Sequence, residues 1–227
     1  MFTRRNFSGF DIAVPDFHKL WDEPNWEFES IRHISRRLSR GDILFDVGSE
    51  AGWQTVIYAR FVGAENICMF EPTPKVWLNA RLTFEANSLQ PPMTTFCGFV
   101  TNYTSENAPS RIAKGWNEES KREGEMLHEM TFLRSEDYPA IPKIALKDFP
   151  IIPRAIAVDV EGHEYEVLEG AAPTLKEHNV LVFASLHPQF NSTSVPKIHG
   201  LMADLGYKGI QISVDHEEHW FFEREKP

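Results

Sequence analysis

The sequence has few of the features that would assign it to a specialised class of protein. It contains two cysteines, Cys68 and Cys97, which cannot build a disulfide framework and have no paired Cys/His spacing typical of structural zinc. No apolar run approaches the roughly 20 residues of a membrane span, and no apolar stretch follows the N-terminal charges as in a signal peptide. We therefore expect a cytoplasmic protein without a membrane span.

Positive charge is also scarce. Lys and Arg number 23 against 33 Asp and Glu, which gives a formal net charge of −10. Because binding to nucleic acid requires a basic face, we expect no nucleic-acid partner. The length of 227 residues and the apolar fraction of 42% are ordinary for a globular protein, and we interpret the whole chain, 1–227, as a single domain.

Short apolar runs alternate with helical patterns along most of the chain. Strands are predicted at 43–47, 66–70, 94–100, 155–160 and 180–184. Helices are predicted at 26–40, 52–61, 73–86, 165–178 (broken near Pro173) and 195–205, with Thr73 as a helix N-cap. A hairpin is predicted at 208–214 and 220–223. This order predicts an α/β fold with a doubly wound, mostly parallel seven-stranded sheet and a C-terminal antiparallel hairpin.

Two segments depart from this alternation. Residues 1–25, rich in Pro, Asp and aromatic residues, are predicted to form an irregular surface arm ahead of the first helix. Residues 101–140 are polar and are predicted to be either an insertion or a lid over the site of a substrate that accepts a transferred group (the acceptor). The large side chains of this insertion include Trp116, Met126, His128 and Met130. They would either line an acceptor pocket or pin the insertion to the core, and the sequence leaves both possibilities open.

The residues that leave the first two predicted strands favour an adenosyl ligand, because ligands bind beyond the carboxyl ends of the strands in such sheets. Gly48 lets the backbone approach a ligand closely, and Gly52 lets the next helix begin tight against the strand. Glu71 would accept hydrogen bonds from two ribose hydroxyls. Asp46 is an anion, which suits the amino group or sulfonium of S-adenosylmethionine better than a pyrophosphate.

An NAD site is the rival interpretation of the same strand ends. It requires the pattern G-x-G-x-x-G, whereas here Gly48 and Gly52 are separated by three residues and Glu50 stands where a pyrophosphate-cradling glycine would lie. The mismatch argues against a dinucleotide. The structural alternative is that both glycines only allow the chain to turn and that the acidic residues are solvent-exposed helix caps.

Three further residues leave the later strands and carry candidate chemistry. Asp159 and Glu161 follow the fourth predicted strand and His187 follows the fifth, so their side chains would converge close to the carboxyl end of the first strand. A hydroxyl acceptor needs a base, and His187 is neutral near pH 7, with Asp159 as the alternative or as an orienting group. A divalent metal held by Asp159, Glu161 and His187 is a third possibility. Each residue could instead have only a structural role, such as a helix cap.

Two other groups of polar residues are interpreted as structural. His163 and Glu164 are predicted to open the next helix. The run HEEH at 216–219 resembles a metal cluster at first sight, but its position in a predicted hairpin turn favours a solvated tip.

Taken in order, these motifs resemble the FkbM-type S-adenosylmethionine-dependent methyltransferases. The matching segments are FDVGSEAG at 45–52, MFEP at 69–72, ALKDF at 145–149, AVDVEGHE at 157–164, VLEG at 167–170 and SLHP at 185–188. The resemblance covers about residues 41–190 and implies a Rossmann-like class I methyltransferase fold, with S-adenosylmethionine as cofactor. It also implies O-methylation, typically of a hydroxyl on a sugar or natural product.

The resemblance assigns the cofactor site more firmly than the acceptor site. Asp46, Gly48, Gly52 and Glu71 match cofactor-binding positions of the family, whereas Glu50 stands where the family commonly has Asn. We expect the cofactor to contact residues in two loops: Asp46, Gly48, Ser49, Glu50, Gly52, Glu71, Pro72 and Thr73. The catalytic candidates remain Asp159, Glu161 and His187.

The sequence therefore predicts an O-methyltransferase acting on a small-molecule or glycan acceptor, with a glycan favoured and a divalent metal optional. Two alternatives stay open. One is an NAD-dependent oxidoreductase on a similar sheet, and the other is a non-catalytic glycan-binding domain with a degenerate methyltransferase fold. The sequence does not determine the acceptor or the oligomeric state.

Overall fold

A computed structural model describes residues 2–7, 9–16, 27–128, 133–214 and 217–224 of the chain. The strands are β1 (Phe2–Phe7), β2 (Phe10–Pro15), β3 (Leu44–Val47), β4 (Ile67–Glu71), β5 (Thr94–Cys97), β6 (Phe99–Val100), β7 (Ile112–Lys114), β8 (Lys143–Ile144), β9 (Ala155–Val158), β10 (Leu181–Leu186), β11 (Tyr207–Val214) and β12 (Glu218–Arg224). The helices are α1 (Phe28–Arg37), α2 (Trp53–Phe61), α3 (Val76–Ala86), α4 (Glu164–Glu177) and α5 (Ser194–Asp204).

The central sheet has eight strands in the order β11-β12-β10-β9-β3-β4-β5-β7. Strands β10, β9, β3, β4 and β5 are parallel, and β12 and β11 complete one edge as an antiparallel hairpin. The predicted α/β fold is thus confirmed, but the predicted number of seven strands is wrong. The additional strand, β7, pairs antiparallel with β5 and comes from the segment predicted as an insertion.

The buried apolar residues form one layer on each face of the sheet. Alternate residues of β3 point to opposite layers, with Leu44 in the first layer and Phe45 in the second, as the period of two requires. The first layer packs under α1, α2 and α3, and the second packs under α4 and α5. Both faces of the strands are therefore covered, which leaves the strand ends as the places where a ligand can enter.

The described part of the predicted irregular arm forms a hairpin, and residues 17–25 of that arm lie outside the described residues. Strands β1 and β2 pair antiparallel, and Ile12, Ala13 and Val14 are buried. The side chain of Asn87, at the end of α3, accepts a hydrogen bond from the Ala13 N–H and donates one to the Ala13 carbonyl, both at 2.8 Å. These two bonds attach the hairpin to the first core layer.

Two predicted helix details also differ from the structure. Helix α3 begins at Val76, so Thr73 is not its N-cap; the Thr73 N–H instead donates to a Glu71 carboxylate oxygen at 2.8 Å. Helix α4 continues through Pro173, with Leu168 before it and Leu175 after it both buried in the core. In the part of the chain that the structure describes, no helix combines the length and apolarity needed to cross a membrane.

Candidate functional site

The ends of β3 and β9 meet at one edge of the sheet, and Gly48 makes that contact possible. Gly48 has a φ of +88°, and a Cβ built on it would lie 1.7 Å from the Asp159 carbonyl oxygen. The Asp159 N–H donates to the Val47 carbonyl at 2.9 Å. Only glycine fits this conformation and this separation. The loop that carries the predicted cofactor residues is therefore in direct contact with the loop that carries Asp159.

Glu71 ties the loop after β3 to the loop after β4. Its two carboxylate oxygens accept the N–H of Thr73 at 2.8 Å and the N–H of Glu50 at 3.2 Å. Burial raises the pKa of Glu71, while these hydrogen bonds lower it. Each carboxylate oxygen retains a second lone pair, so Glu71 can still accept hydrogen bonds from two neighbouring hydroxyls.

Asp46 and Glu50 place two more carboxyl groups beside Glu71. Asp46 is buried within β3 and accepts a hydrogen bond from the Thr55 hydroxyl, and Glu50 accepts one from the Trp53 indole N–H at 3.1 Å. Burial raises the pKa of each carboxyl group to about 7, and the charge of Glu71 adds to the effect. A ligand with a positive charge would relieve this accumulation of acids.

The remaining predicted cofactor residues lie in the same two loops. Gly52, with a φ of +74°, packs against Ala80 of α3. The N–H groups of Gly48 and Ser49 both donate to the Phe70 carbonyl, at 2.9 and 3.1 Å. They are thus engaged in holding β3 to β4, and a pyrophosphate would find neither of them free. Pro72 and Thr73 continue the chain directly after Glu71.

His187 lies at the end of β10 in the centre of a group of carboxylates. Its Nε2 atom is 2.5 Å from Glu217 Oε2, 3.4 Å from Glu161 Oε2 and 3.6 Å from Asp159 Oδ1. Its Nδ1 atom is 2.8 Å from Glu164 Oε1. The structure therefore brings Asp159, Glu161 and His187 together as the sequence predicts.

The imidazole of His187 is almost completely enclosed, with 2% of its side chain exposed. Burial alone would lower its pKa, but the hydrogen bonds with Glu164 and Glu217 and the charge of Asp159 outweigh it and raise the pKa to about 11. In this arrangement the ring carries a positive charge at neutral pH, which differs from the neutral base expected from the sequence.

Asp159 and Glu161 are the accessible members of this group, since 31% and 30% of their side chains are exposed. Burial and the charge of Glu217 raise the pKa of Asp159 well above its usual range. Strand β9 ends at Val158, so strand alternation does not align the two carboxylates. Instead Glu161 adopts a φ of +53°, and this turn directs it back towards His187.

Glu217 and His219 correct the prediction of a solvated hairpin tip. Both side chains are buried, and His219 Nε2 lies 3.4 Å from Glu217 Oε1. His219 pairs with Ser185 across β12 and β10, and its Nδ1 atom is hydrogen-bonded to the Ser185 hydroxyl at 3.2 Å. The two-residue spacing of Glu217 and His219 would place both on one face of a strand, and this was the available signal. The neighbouring His216 lies outside the described residues.

Glu164 also has a larger role than opening α4, which begins at this residue as predicted. Its carboxylate is completely buried, accepts the Gly162 N–H at 2.8 Å and holds His187 Nδ1. Nothing in the sequence distinguishes it from the many glutamates that lie in the first turn of a helix.

The described part of the 101–140 segment is attached to α3. The Trp116 ring packs edge-on against Phe84 at 5.0 Å, and the Asn79 amide exchanges hydrogen bonds with the backbone of Leu127 at 2.8 and 2.9 Å. For Trp116 the structure favours the pinning role over the pocket. Met126 is half-buried and His128 is exposed, and Met130 lies outside the described residues.

An exposed aromatic ring lies beside the cluster of carboxylates that surrounds His187. Phe190 is 55% exposed, and its ring centroid is 5.8 Å from that of His187. A Cβ added to Gly162 would lie 2.9 Å from the Phe190 Cβ atom, so this glycine allows the loops after β9 and β10 to touch. Phe190 therefore offers an apolar face next to Asp159 and Glu161.

Comparison with known proteins identifies relatives of this chain. The family model described as "Methyltransferase FkbM domain" matches residues 46–208. The hexuronic acid methyltransferase AglP of Haloferax volcanii is 29% identical over 194 residues, which cover 82% of this chain and 74% of that protein.

Solved structures show the same fold. The crystal structure of methyltransferase FkbM from Methylobacillus flagellatus KT aligns with a TM-score of 0.56 and 15% identity. The alignment covers 82% of this chain but 44% of that one, so this chain spans less than half of its structural relative. The M. jannaschii protein TYW2, solved in complex with AdoMet, aligns with a TM-score of 0.51 and 11% identity over 99% of this chain and 87% of that one.

Proposed function

This chain belongs to the FkbM methyltransferase family and is an S-adenosylmethionine-dependent methyltransferase, and we propose that it transfers the methyl group to a hydroxyl group of a sugar. The observation that carries the proposal is the position of two accessible carboxylates, Asp159 and Glu161, at the edge where Gly48 brings the cofactor loop against Asp159. This position supports the pair as the proton acceptor beside the expected methyl donor.

The cofactor would lie across the ends of β3 and β4. Glu71 would hold the two ribose hydroxyls, using the lone pairs that its backbone contacts leave available. Asp46 and Glu50 would hold the amino group of the methionine part, and their carboxyl groups would thereby gain a positive partner. Ser49, Gly52, Pro72 and Thr73 shape the two loops.

Methyl transfer is a displacement in line with the sulfur–carbon bond. A bond forms between the acceptor oxygen and the methyl carbon, the sulfur–carbon bond breaks, and S-adenosylhomocysteine leaves. The hydroxyl proton passes to the Asp159–Glu161 pair. His187 is a positioning residue, because both of its ring nitrogens face carboxylates and its ring is enclosed.

A sugar is the favoured acceptor for two reasons. AglP, the Haloferax relative, is named for a hexuronic acid, and the exposed Phe190 ring beside the site offers a surface for the apolar face of a pyranose ring. The acidic site favours a neutral hydroxyl over the carboxylate of a uronic acid. That nucleic acid is not a partner, and that the protein is cytoplasmic, stay predictions.

The proposal is tested by methyl transfer from labelled S-adenosylmethionine to a panel of glycans. We expect a stable methyl ether as product, and we expect turnover of Asp159→Asn or Glu161→Gln to fall by about 10²–10⁴-fold while cofactor affinity is retained. The exposed Asp148→Asn is the matched control and should keep full turnover. A product that mild base cleaves would be an ester and would contradict a hydroxyl acceptor. Absence of transfer to every glycan would favour a non-catalytic glycan-binding domain.

A further inference from the structure

The proposed methyl transfer does not use Glu217, which is buried at the point where the C-terminal hairpin meets His187. Its Oε2 atom lies 2.5 Å from His187 Nε2. One carboxylate oxygen of Asp159, one of Glu217 and one ring nitrogen of His187 all lie within 4.8 Å of one another. Three potential ligands thus come from three different places in the chain: the end of β9, the end of β10 and the start of β12.

From this arrangement we propose that Asp159, His187 and Glu217 bind one divalent cation at the acceptor side of the site. Two carboxylates and one imidazole suit a hard or borderline cation such as Mg²⁺ or Mn²⁺. Three protein ligands leave coordination positions open, as in metal sites that also bind a substrate. This inference rests on the proposed function for its role in the reaction, but the binding itself can be measured independently.

The surroundings of the two histidines support a metal site. Metal-binding imidazoles usually have their second ring nitrogen fixed by a hydrogen bond. His187 Nδ1 is held by the buried Glu164, which is itself fixed by the Gly162 N–H. The other ring nitrogen, Nε2, therefore faces Asp159 and Glu217.

His219 shows the same pattern behind Glu217. Its Nδ1 atom is bonded to Ser185, and its Nε2 atom faces Glu217 Oε1 at 3.4 Å. The two carboxylate oxygens of Glu217 thus face two different imidazole rings, Oε2 facing His187 and Oε1 facing His219.

The charges at this point also favour a cation. Asp159, Glu161, Glu164 and Glu217 surround His187, and a protonated imidazole balances only one negative charge. Enclosed carboxylates are expensive unless they are paired or bound to a metal. A divalent ion bound by Asp159, His187 and Glu217 would take the place of the proton on His187 Nε2, and it would supply one more positive charge than the protonated ring does.

A second group of potential ligands, formed by Glu27, Glu217 and His219, is the weaker candidate. Their ligand atoms also lie within 4.8 Å of one another, but all three side chains are buried. Glu27 accepts a hydrogen bond from the Gln54 amide as well. The Asp159 group adjoins the accessible edge, where an acceptor oxygen can reach the ion.

The cation would change which groups act in the proposed reaction. With Asp159 and Glu217 committed as ligands, Glu161 is the carboxylate left to take the hydroxyl proton. An acceptor oxygen bound to the ion becomes a stronger acid, and a neighbouring oxygen of the same sugar can occupy a second open position. The sugar would then be oriented by its own pair of oxygens.

The test titrates Mn²⁺ alone into the full chain after treatment with a chelator, without cofactor or acceptor. We expect one bound Mn²⁺ per chain, and affinity at least about tenfold lower in Asp159→Asn and Glu217→Gln. Glu218→Gln, the adjacent residue with the same change of charge, is the matched control and should bind as the parent does. Equal affinity in the parent and Glu217→Gln, or no binding by the parent, would overturn the proposal.

A second measurement does not depend on any variant folding. Pulsed electron paramagnetic resonance of the Mn²⁺-loaded parent should show coupling to an imidazole nitrogen, and absence of this coupling would overturn the site. Retained S-adenosylmethionine binding shows that each variant is folded.

The two proposals fail in different ways. Full methyl transfer in excess chelator would reject the cation's role and leave the proposed function intact. Mn²⁺ binding without methyl transfer to any glycan would support the site and reject the proposed function.

Discussion

At the scale of single residues, Gly48 lets the two loops of the site touch. The space that a side chain would need there is filled by the Asp159 carbonyl, 1.7 Å from an ideal Cβ. Its φ of +88° adds a second requirement for glycine. The sequence suggested close approach to a ligand, and the structure shows close approach to the protein's own backbone.

We expect Gly48→Ala to lower the free energy of unfolding by more than about 3 kcal/mol, through backbone strain and overpacking together. The matched control is Gly41→Ala, since Gly41 has a φ of +95° and nothing within 4 Å of an added Cβ. That variant should lose only about 1–2 kcal/mol. Chemical denaturation measures both, and equal losses would show that the contact with Asp159 is unimportant.

Residue patterns predicted part of the candidate site. Asp159, Glu161 and His187 meet as expected, because strand ends in a parallel sheet share one edge. Glu217 was expected in solvent, since a charged residue in a turn is normally exposed. The two-residue spacing of Glu217 and His219 indicates a shared strand face, but the burial of that face depends on the contact between the hairpin and β10.

At the scale of secondary-structure elements, α4 packs closely against the loop after β6. A Cβ added to Gly170 of α4 would lie 2.0 Å from the Thr101 carbonyl oxygen. The helix therefore approaches the backbone of this loop more closely than any side chain would allow.

Gly170 in α4 is tightly packed, whereas Gly200 in α5 is open to solvent. Alanine substitutions at these two positions should therefore have opposite effects on the free energy of unfolding. Gly170→Ala is expected to destabilise the protein by about 1–3 kcal/mol, although alanine is the better helix former. Gly200→Ala, in the exposed face of α5 with nothing within 4 Å, should stabilise it by about 0.5–1 kcal/mol. Thermal unfolding of both variants checks the signs, and stabilisation by Gly170→Ala would contradict the packing.

The elements that the sequence predicted are those with long apolar patterns. Strands β3, β4, β9 and β10 are buried on both faces and appear as largely apolar runs. Strand β7 has three residues, too few for a period of two to be recognised. In the hairpin of β1 and β2 only a short stretch of β2 is buried, and polar residues surround it in the sequence. The hairpin is anchored by Asn87, which is distant in the sequence, so no local pattern predicts it.

At the scale of the whole molecule, negative charge is concentrated where the proposed ligands bind. Asp46 and Glu50 have pKa values of about 7, against ordinary values of 3.8 and 4.5. An acid whose pKa is raised by folding binds its proton more tightly in the folded state, so stability falls as pH rises from the ordinary value towards the raised one.

We therefore expect the cofactor-free protein to lose stability between about pH 5 and about pH 6.5. Asp46→Asn keeps an oxygen that can accept the Thr55 hydrogen bond, and it should reduce that loss by about 2 kcal/mol. Unfolding curves across this range measure the difference. If the variant loses as much stability as the parent, the pKa of Asp46 is not raised by folding.

The most direct measurement of the proposed cofactor site is calorimetric titration with S-adenosylmethionine, with NAD⁺ titrated in parallel. We expect the parent chain to bind S-adenosylmethionine, and Glu71→Ala to bind it about 10–100-fold more weakly, because charge-assisted hydrogen bonds of about 1.5–3 kcal/mol are lost. The control Glu85→Ala, at an exposed carboxylate on α3, should bind like the parent. Unchanged affinity in Glu71→Ala, or binding of NAD⁺ instead of S-adenosylmethionine, would contradict the assignment of this edge of the sheet to the methyl donor.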